Sequence, residues 1–290
     1  MSSAALSLVV VASSIHAGWN LLTKRAANRL VFLWLVLGAG LILYAPVALY
    51  LAFAAPPPAR GLLYVLASGL IHSGYYYALS RMYEYEFSLT YPTARGSSPV
   101  LVALVSLLIL REPLTGGGLA GIALVVAGIA ALQLRISDGG KLRWPIMDAL
   151  RGPAGRIALA TGCVIACYSL VDKIGVSIVH PVLYIWSSHA VAFAGYYAVR
   201  MRHAMPAIRT EARRAGWAVW AAGLGQNMAY ILVLFAMRLA PVAYVVPARE
   251  MSTLIGTILG VTLLREPFPA VKLGGAGLIM AGVVLIALRG

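Results

Sequence analysis

Two arginines interrupt apolar runs that should exclude charge. Arg95 sits in TYPTARGSSPVLVALV, just past Pro92, and Arg249 sits in VAYVVPAREMSTLIG, just past Pro247. A charge at the centre of a bilayer costs about 2.5–3.5 kcal/mol on insertion scales, so such a group is paired or functional. A guanidinium presents a planar fork of donors that matches the oxygen pair of a carboxylate or phosphate. One reading is that Arg95, Arg249 or both hold the anionic group of a small molecule. The other is that one of them pairs with Glu250 and ties two parts of the chain together. The readings are compatible, because an anion can compete with Glu250 for the arginine. Glu250 divides the same way. An unpartnered buried carboxylate favours its neutral form and could carry a coupling proton, whereas a salt-bridged one could not do so easily.

Polar and aromatic residues fall on a few helix faces. His16 and Asn20 are four apart, with Trp19 adjacent. His72 and Tyr75, then Tyr76, lie in HSGYYY. Tyr91, Arg95 and Ser98 form one stripe, and Gln226 and Tyr230, with Asn227 beside them, form another. Residues three or four apart share a face. If these stripes converge, they enclose a wet, aromatic-lined cavity holding one or two cations, suited to an organic ion with an apolar part. Taken singly, a histidine also fits a hydrogen-bonded packing role, and a Tyr or Trp an interfacial belt. The belt is the preferred account of Tyr44, Tyr50, Tyr64, Trp144, Trp217 and Trp220. Asp172 and Lys173 fall at the expected end of a span and read as a local pair or a solvated loop.

The elements that must position these residues follow from hydropathy. The chain of 290 residues is 61% hydrophobic and 11% charged, with mean hydropathy +0.86, whereas soluble domains carry about 25% charge. Ten spans are expected, at approximately 3–22, 30–53, 61–80, 88–110, 117–135, 155–172, 180–200, 216–237, 242–264 and 270–288. The polar stretch 136–154 is expected as a linker between a first five-helix repeat, 1–135, and a second, 155–290. Pro92 and Pro99 in the fourth span and Pro247 in the ninth predict kinked helices that face the interior, where protein or water can satisfy the freed carbonyls. Small residues in the fifth and tenth spans, among them Gly121, Gly128, Gly275 and Gly282, predict close helix packing. The N-terminus lacks the basic start of a signal peptide, and the first run reads as a retained span.

The two halves repeat each other. LREPLTGGGLAGIALVVAG at 110–128 returns as LREPFPAVKLGGAGLIMAG at 264–282, and the same offset relates Arg95 to Arg249 and Ser98 to Ser252. Duplicated hydrophobic halves mark transporters with a substrate site at the repeat interface. Of the loop Lys and Arg, 16 follow odd-numbered spans and 5 lie on the opposite face. The positive-inside rule then puts the 136–154 linker in the cytoplasm and both termini outside. Five spans per half is odd, so the repeats should be inverted.

The excess of basic residues, 23 Lys and Arg against 9 Asp and Glu, would suggest nucleic acid in a soluble chain. Here these residues border apolar runs, and no nucleic-acid module is visible. Cys163 and Cys167 are four apart in one apolar run, with no metal pattern and no disulfide geometry, and read as small buried residues. The LREP turns read as structural helix ends whose charges reach headgroups. No G-x-S-x-G, H-E-x-x-H or phosphate loop is present, so an enzyme is not expected and no cofactor is called for. Without an ATP site, transport would be facilitated or ion-driven.

Two five-span halves, each closing with a kinked helix, an LREP turn and a Gly-rich last helix, together with IHAGWNLLTK and YPTARGSSP, resemble the EamA-type members of the drug/metabolite transporter superfamily. The resemblance covers essentially the whole chain. It implies an all-α integral membrane protein, a ten-helix bundle around a central cavity, in a plasma (inner) membrane. Such families move amino acids and other metabolites outward, or nucleotide sugars, sugar phosphates and choline-like compounds inward. The expectation is a secondary exporter of small polar metabolites such as amino acids, acting as a monomer or homodimer. Its rival is a transporter of phosphorylated or phosphonate compounds. From another class, a membrane-embedded enzyme or a non-transporting scaffold would need clustered catalytic groups or no mid-span arginines.

Overall fold

The computed structural model describes the backbone of residues 1–82, 85, 87–132, 134–136, 142–143, 152–264 and 271–290. Side chains are described for these except 87–92, 135–136, 142–143, 257, 260–264 and 271–272. The first half contains α1 (Ser3–Arg25), α2 (Arg29–Ala54), α3 (Ala59–Met82), α4 (Phe87–Val105), which continues as a π turn (Ser106–Leu110), and α5 (Gly116–Ala131). The second half contains α6 (Pro153–Ile178), α7 (Pro181–Tyr196) with a π turn (Tyr197–Met201), α8 (Met205–Ala215), α9 (Trp217–Leu239), α10 (Val242–Ala248), α11 (Met251–Leu264) and α12 (Val271–Arg289). Among the described residues, five helices are long and apolar enough to cross a membrane: α1, α2, 93–110, α6 and α9.

The sequence signals start helices where they should. Side chains of Ser2, Asn28 and Thr115 accept the first free amides of α1, α2 and α5, and Pro153 and Pro181 open α6 and α7. Four expectations change. The fifth span stops at Ala131 rather than 135, and a two-residue antiparallel pair, Arg135–Ile136 with Leu142–Arg143, follows it. The rest of the 136–151 stretch, with Trp144, lies outside the described residues. The sixth helix runs on to Ile178, so Asp172 and Lys173 are inside it. Residues 205–215, expected as loop, form the amphipathic α8. Its Ile208 and Glu211 face inward while Arg209, Arg213 and Arg214 are exposed. Cys163 and Cys167 are exposed, on the outer face of α6, not buried.

The proline-bearing spans differ from one another. The fourth is helical without interruption across Pro92, Arg95 and Pro99. The ninth breaks at Arg249–Glu250, two residues past Pro247. At the break the amides reach back only three residues, Glu250 to Pro247 and Ser252 to Arg249.

The most extensive helix contacts are kept when the halves are exchanged. The α1–α9 contact is matched by α6–α3, α4–α6 by α11–α1, and α2–α9 by α7–α3, while α2–α7 and α5–α12 are their own images. The α5–α12 contact is backbone against backbone. A Cβ on Gly121 would lie 2.8 Å from the Gly282 carbonyl oxygen, and one on Gly128 would lie 2.7 Å from that of Gly275. Rising numbers on one helix meet falling numbers on the other, so these equivalent helices run antiparallel.

The loops sort to two ends. At one, Met1 donates to the Gly290 carbonyl, Thr115 bonds the Arg289 carbonyl, and Gly61 packs on Val179. At the other, Glu211 accepts from the amides of Ala27 and Asn28, closing α8 onto the start of α2.

Candidate functional site

The break in the ninth span puts a cation and an anion on consecutive residues and aims them apart. Glu250 Oε1 meets Arg95 Nη2 of α4 at 2.8 Å, and Thr253 donates to Glu250 Oε2 at 3.1 Å. Arg95 and Glu250 are 7% and 2% exposed. The ion pair offered as one reading is therefore formed, and it joins the two halves. Arg249 takes no part in it. Its guanidinium lies over the Tyr230 ring, 5.2 Å from the centroid, a cation–π contact that leaves the donor fork without a carboxylate among the described residues. The Arg249 carbonyl, which takes the Ser252 amide, also accepts from Ser13 of α1 at 3.4 Å. His16, Ser13, Tyr230, Arg249 and Ser252 line a small crevice together with Ala12, Ala229 and Val233.

Behind Tyr230 lies a second centre. Asp172, fully buried, accepts from Ser68 at 2.6 Å and Tyr184 at 2.8 Å on Oδ1, and from Tyr230 at 2.5 Å on Oδ2. These donors come from three helices, α3, α7 and α9. His72 Nδ1 is 2.9 Å from the Ser68 carbonyl oxygen and 3.2 Å from its hydroxyl. The His72 ring stacks on Tyr168 at 4.3 Å and meets Tyr230 and His189 edge-on at 5.9 Å and 5.7 Å. His189 bonds Asn227 Oδ1 at 3.0 Å.

The repeat relates these contacts. At the offset that carries Arg95 to Arg249, His72 corresponds to Gln226 and Tyr76 to Tyr230. His72 meets Tyr230, and Gln226 donates to the Tyr76 hydroxyl at 2.9 Å. Each pair is the image of the other, so α3 and α9 meet through these side chains.

Of the residues expected at a site, Arg95, Arg249, Glu250, His16, His72, Tyr75, Tyr76, Gln226 and Tyr230 gather here, Tyr75 through its edge contacts with Tyr76 and Tyr168. Others are turned to their own helices. Asn20 donates to the His16 carbonyl and Ser98 to that of Arg95, whereas Asn227 donates to that of Gly223 and also reaches His189 of α7 through its Oδ1. Trp19 packs edge-on to His16, and its Nε1 and Gln226 Oε1 have no hydrogen-bond partner among the described residues. The Tyr91 side chain lies outside the described residues.

Asp172 was misplaced at a span end. The apolar IGVSIV that follows Asp172-Lys173 was the available sign that the helix continues. Lys173 is no local partner either. It pairs with Glu112 at 3.2 Å and donates to the carbonyls of Met237 and Ala240. Glu112 also accepts from Ser106 and from the Val242 amide at the start of α10. Its carboxylate therefore turns inward and does not reach headgroups. Arg111, at φ 53, is the left-handed C-cap that makes this turn possible. Arg265, Glu266 and Pro267 lie outside the described residues. No cluster of three or more His, Cys, Asp or Glu is placed to hold a metal ion among the described residues.

Among the described residues the site offers one cationic fork without a carboxylate, that of Arg249, beside a hydroxyl-lined carboxylate, and a second fork that Glu250 holds. The profile of the EamA-like transporter family matches residues 3–133 and 155–288. A solved crystal structure aligns over 99% of this chain and 98% of its own, with TM-score 0.73 at 17% identity, a likeness of fold alone. No curated protein matches the chain significantly.

Proposed function

Because the chain belongs to the EamA-like transporter family, we propose that it is a secondary transporter of small organic metabolites that carry an anionic group. Amino acids moved outward are the first choice, and the membrane is the plasma (inner) membrane. The observation that carries this reading is the pair of repeat-equivalent buried arginines at the crossing of the halves. One is neutralised by Glu250 and the other is open over an aromatic face. Ten crossings in two inverted repeats are supported by the exchange-symmetric packing and by the antiparallel α5 and α12. The 136–154 linker is then cytoplasmic, the termini outside, and the working unit a monomer or homodimer. Alternating access opens one end while the other is tied. The Glu112–Lys173 pair, across the ends of α4, α6 and α9, is a tie of that kind.

A phosphonate or phosphate ester suits the same arginines and is the second reading. The test is flux in sealed liposomes. Labelled amino acids and phosphonates are offered to the wild type and to Arg249→Ala, with the products analysed chemically. Accumulation lost in Arg249→Ala supports the reading. Chemical conversion of the solute, or equal flux in the variant, overturns it.

A further inference from the structure

The central charges balance in the arrangement described. Arg95 is offset by Glu250, and Arg249 faces Asp172 across Tyr230, whose ring lies under the guanidinium and whose hydroxyl donates to Asp172. Lys173, next in sequence, is offset by Glu112. An anion entering beside Arg249 leaves the buried centre one negative charge in excess, and an uncompensated charge away from water is costly. Asp172 has no cation within salt-bridge distance among the described residues. Its three hydroxyl partners come from side chains that can reverse between donating and accepting.

We propose that Asp172 is the coupling site of this transporter and takes up one proton for each anion held at Arg249. This rests on the transport reading and adds the ion to it: proton and anion move together, so an inward proton gradient favours uptake over the outward movement named first above. The proton comes from water and forms an O–H bond on Asp172 Oδ1. Ser68, until then donating to that oxygen, rotates its hydroxyl and accepts the new hydrogen, while His72 keeps its Nδ1–H on the Ser68 carbonyl. Tyr184 and Tyr230 continue to donate. The reverse sequence returns the proton to water, and His72 stays neutral throughout. The other groups facing Asp172 are fixed: His72 from α3, Tyr184 from α7, Tyr230 from α9, Arg95 of α4 bound to Glu250, Arg249 at the α10–α11 break, and Tyr168 and Lys173 on its own helix. Glu250, held by Arg95 and Thr253, already has a cation beside it.

Asp138, Asp148 and Asp172 are the only aspartates in the chain. In an Asp138→Asn/Asp148→Asn background, aspartate labelled with carbon-13 in its side-chain carboxyl therefore reports Asp172 without touching its network. Infrared difference spectra of the reconstituted protein between alkaline and acid buffer should show an isotope-shifted carbonyl stretch of a protonated carboxyl. That band should vanish on adding Asp172→Asn. Its absence, or its persistence in that variant, overturns the proposal. Flux of L-glutamate, phosphonoacetate and glycerol phosphate is then measured under a pH gradient, under a sodium gradient and as counterflow. The expected result is a probe driven by the pH gradient in wild type, with Asp172→Asn losing the gradient response and keeping counterflow. A retained pH response in Asp172→Asn, or drive by sodium instead, overturns it. If no probe moves, the transport reading fails and the coupling with it, while the infrared band still distinguishes that failure from a silent Asp172.

Discussion

At the residue scale, the pairing of Arg95 with Glu250 decides what each can do. Removing one member of a buried pair costs about 3–5 kcal/mol because the other is left as an uncompensated charge. Arg95→Ala should therefore lose both thermal stability and flux. Arg95→Ala/Glu250→Ala should recover stability measured by thermal unfolding in detergent, yet stay inactive. A double variant no more stable than the single would show that the pair is not what holds α4 to the α10–α11 break. Glu250→Gln keeps the shape but not the charge, and it should lose pH-driven flux and counterflow together. Counterflow surviving alone would return the coupling role to Glu250. Tyr230 joins the two centres through its ring and its hydroxyl. Tyr230→Phe preserves the first contact and removes the second, so it should leave anion binding in place and slow gradient-driven flux.

At the element scale, the chain depends on carboxylates that cap helices across the repeat. Glu211 of α8 satisfies the amides of Ala27 and Asn28 while 3% exposed. Ala27 and Asn28 are exposed, so water can replace Glu211 there and the loss is the net worth of each hydrogen bond, about 0.5–1.5 kcal/mol. Glu211→Ala should lower the thermal midpoint accordingly, while Arg209→Ala on the exposed face of the same helix should not move it. The α5–α12 contact is less forgiving, because a side chain there meets backbone rather than a movable neighbour. Gly128→Val should abolish folded protein on size-exclusion chromatography, and Gly116→Ala, with open space around its Cβ, should be tolerated. A folded Gly128→Val would mean that the helices can separate.

At the scale of the whole molecule, sidedness follows from which loops share an end. The chain termini meet the loop after α4, and α8 closes onto the α1–α2 loop at the other end. The odd-numbered loops carry most of the Lys and Arg, so their end should be cytoplasmic. In a Cys163→Ala/Cys167→Ala background, a cysteine at position 2 should react with an impermeant thiol reagent in intact cells. One at position 140 should react only after lysis. The opposite pattern reverses the orientation.

The sequence by itself determined the class of this protein. Hydropathy, duplication and proline placement are carried by neighbouring residues, and they gave the apolar helices, the repeat at Arg95 and Arg249, and the polar stripes through His72 and Tyr230. It also placed small residues where α5 and α12 touch, since close approach needs glycine whatever the partner. Only the tertiary structure decided which charges meet. Arg95 and Glu250 are far apart in the chain, and nothing local distinguishes Arg95 from Arg249 as the partner of Glu250. The ninth span breaks two residues after its proline while the fourth runs on past two, a difference that proline placement does not foretell. Asp172 shows the limit most sharply. A helix end misjudged by two turns separates a solvated aspartate from the buried centre of a hydroxyl network, and that network's donors come from three other helices that no local pattern names.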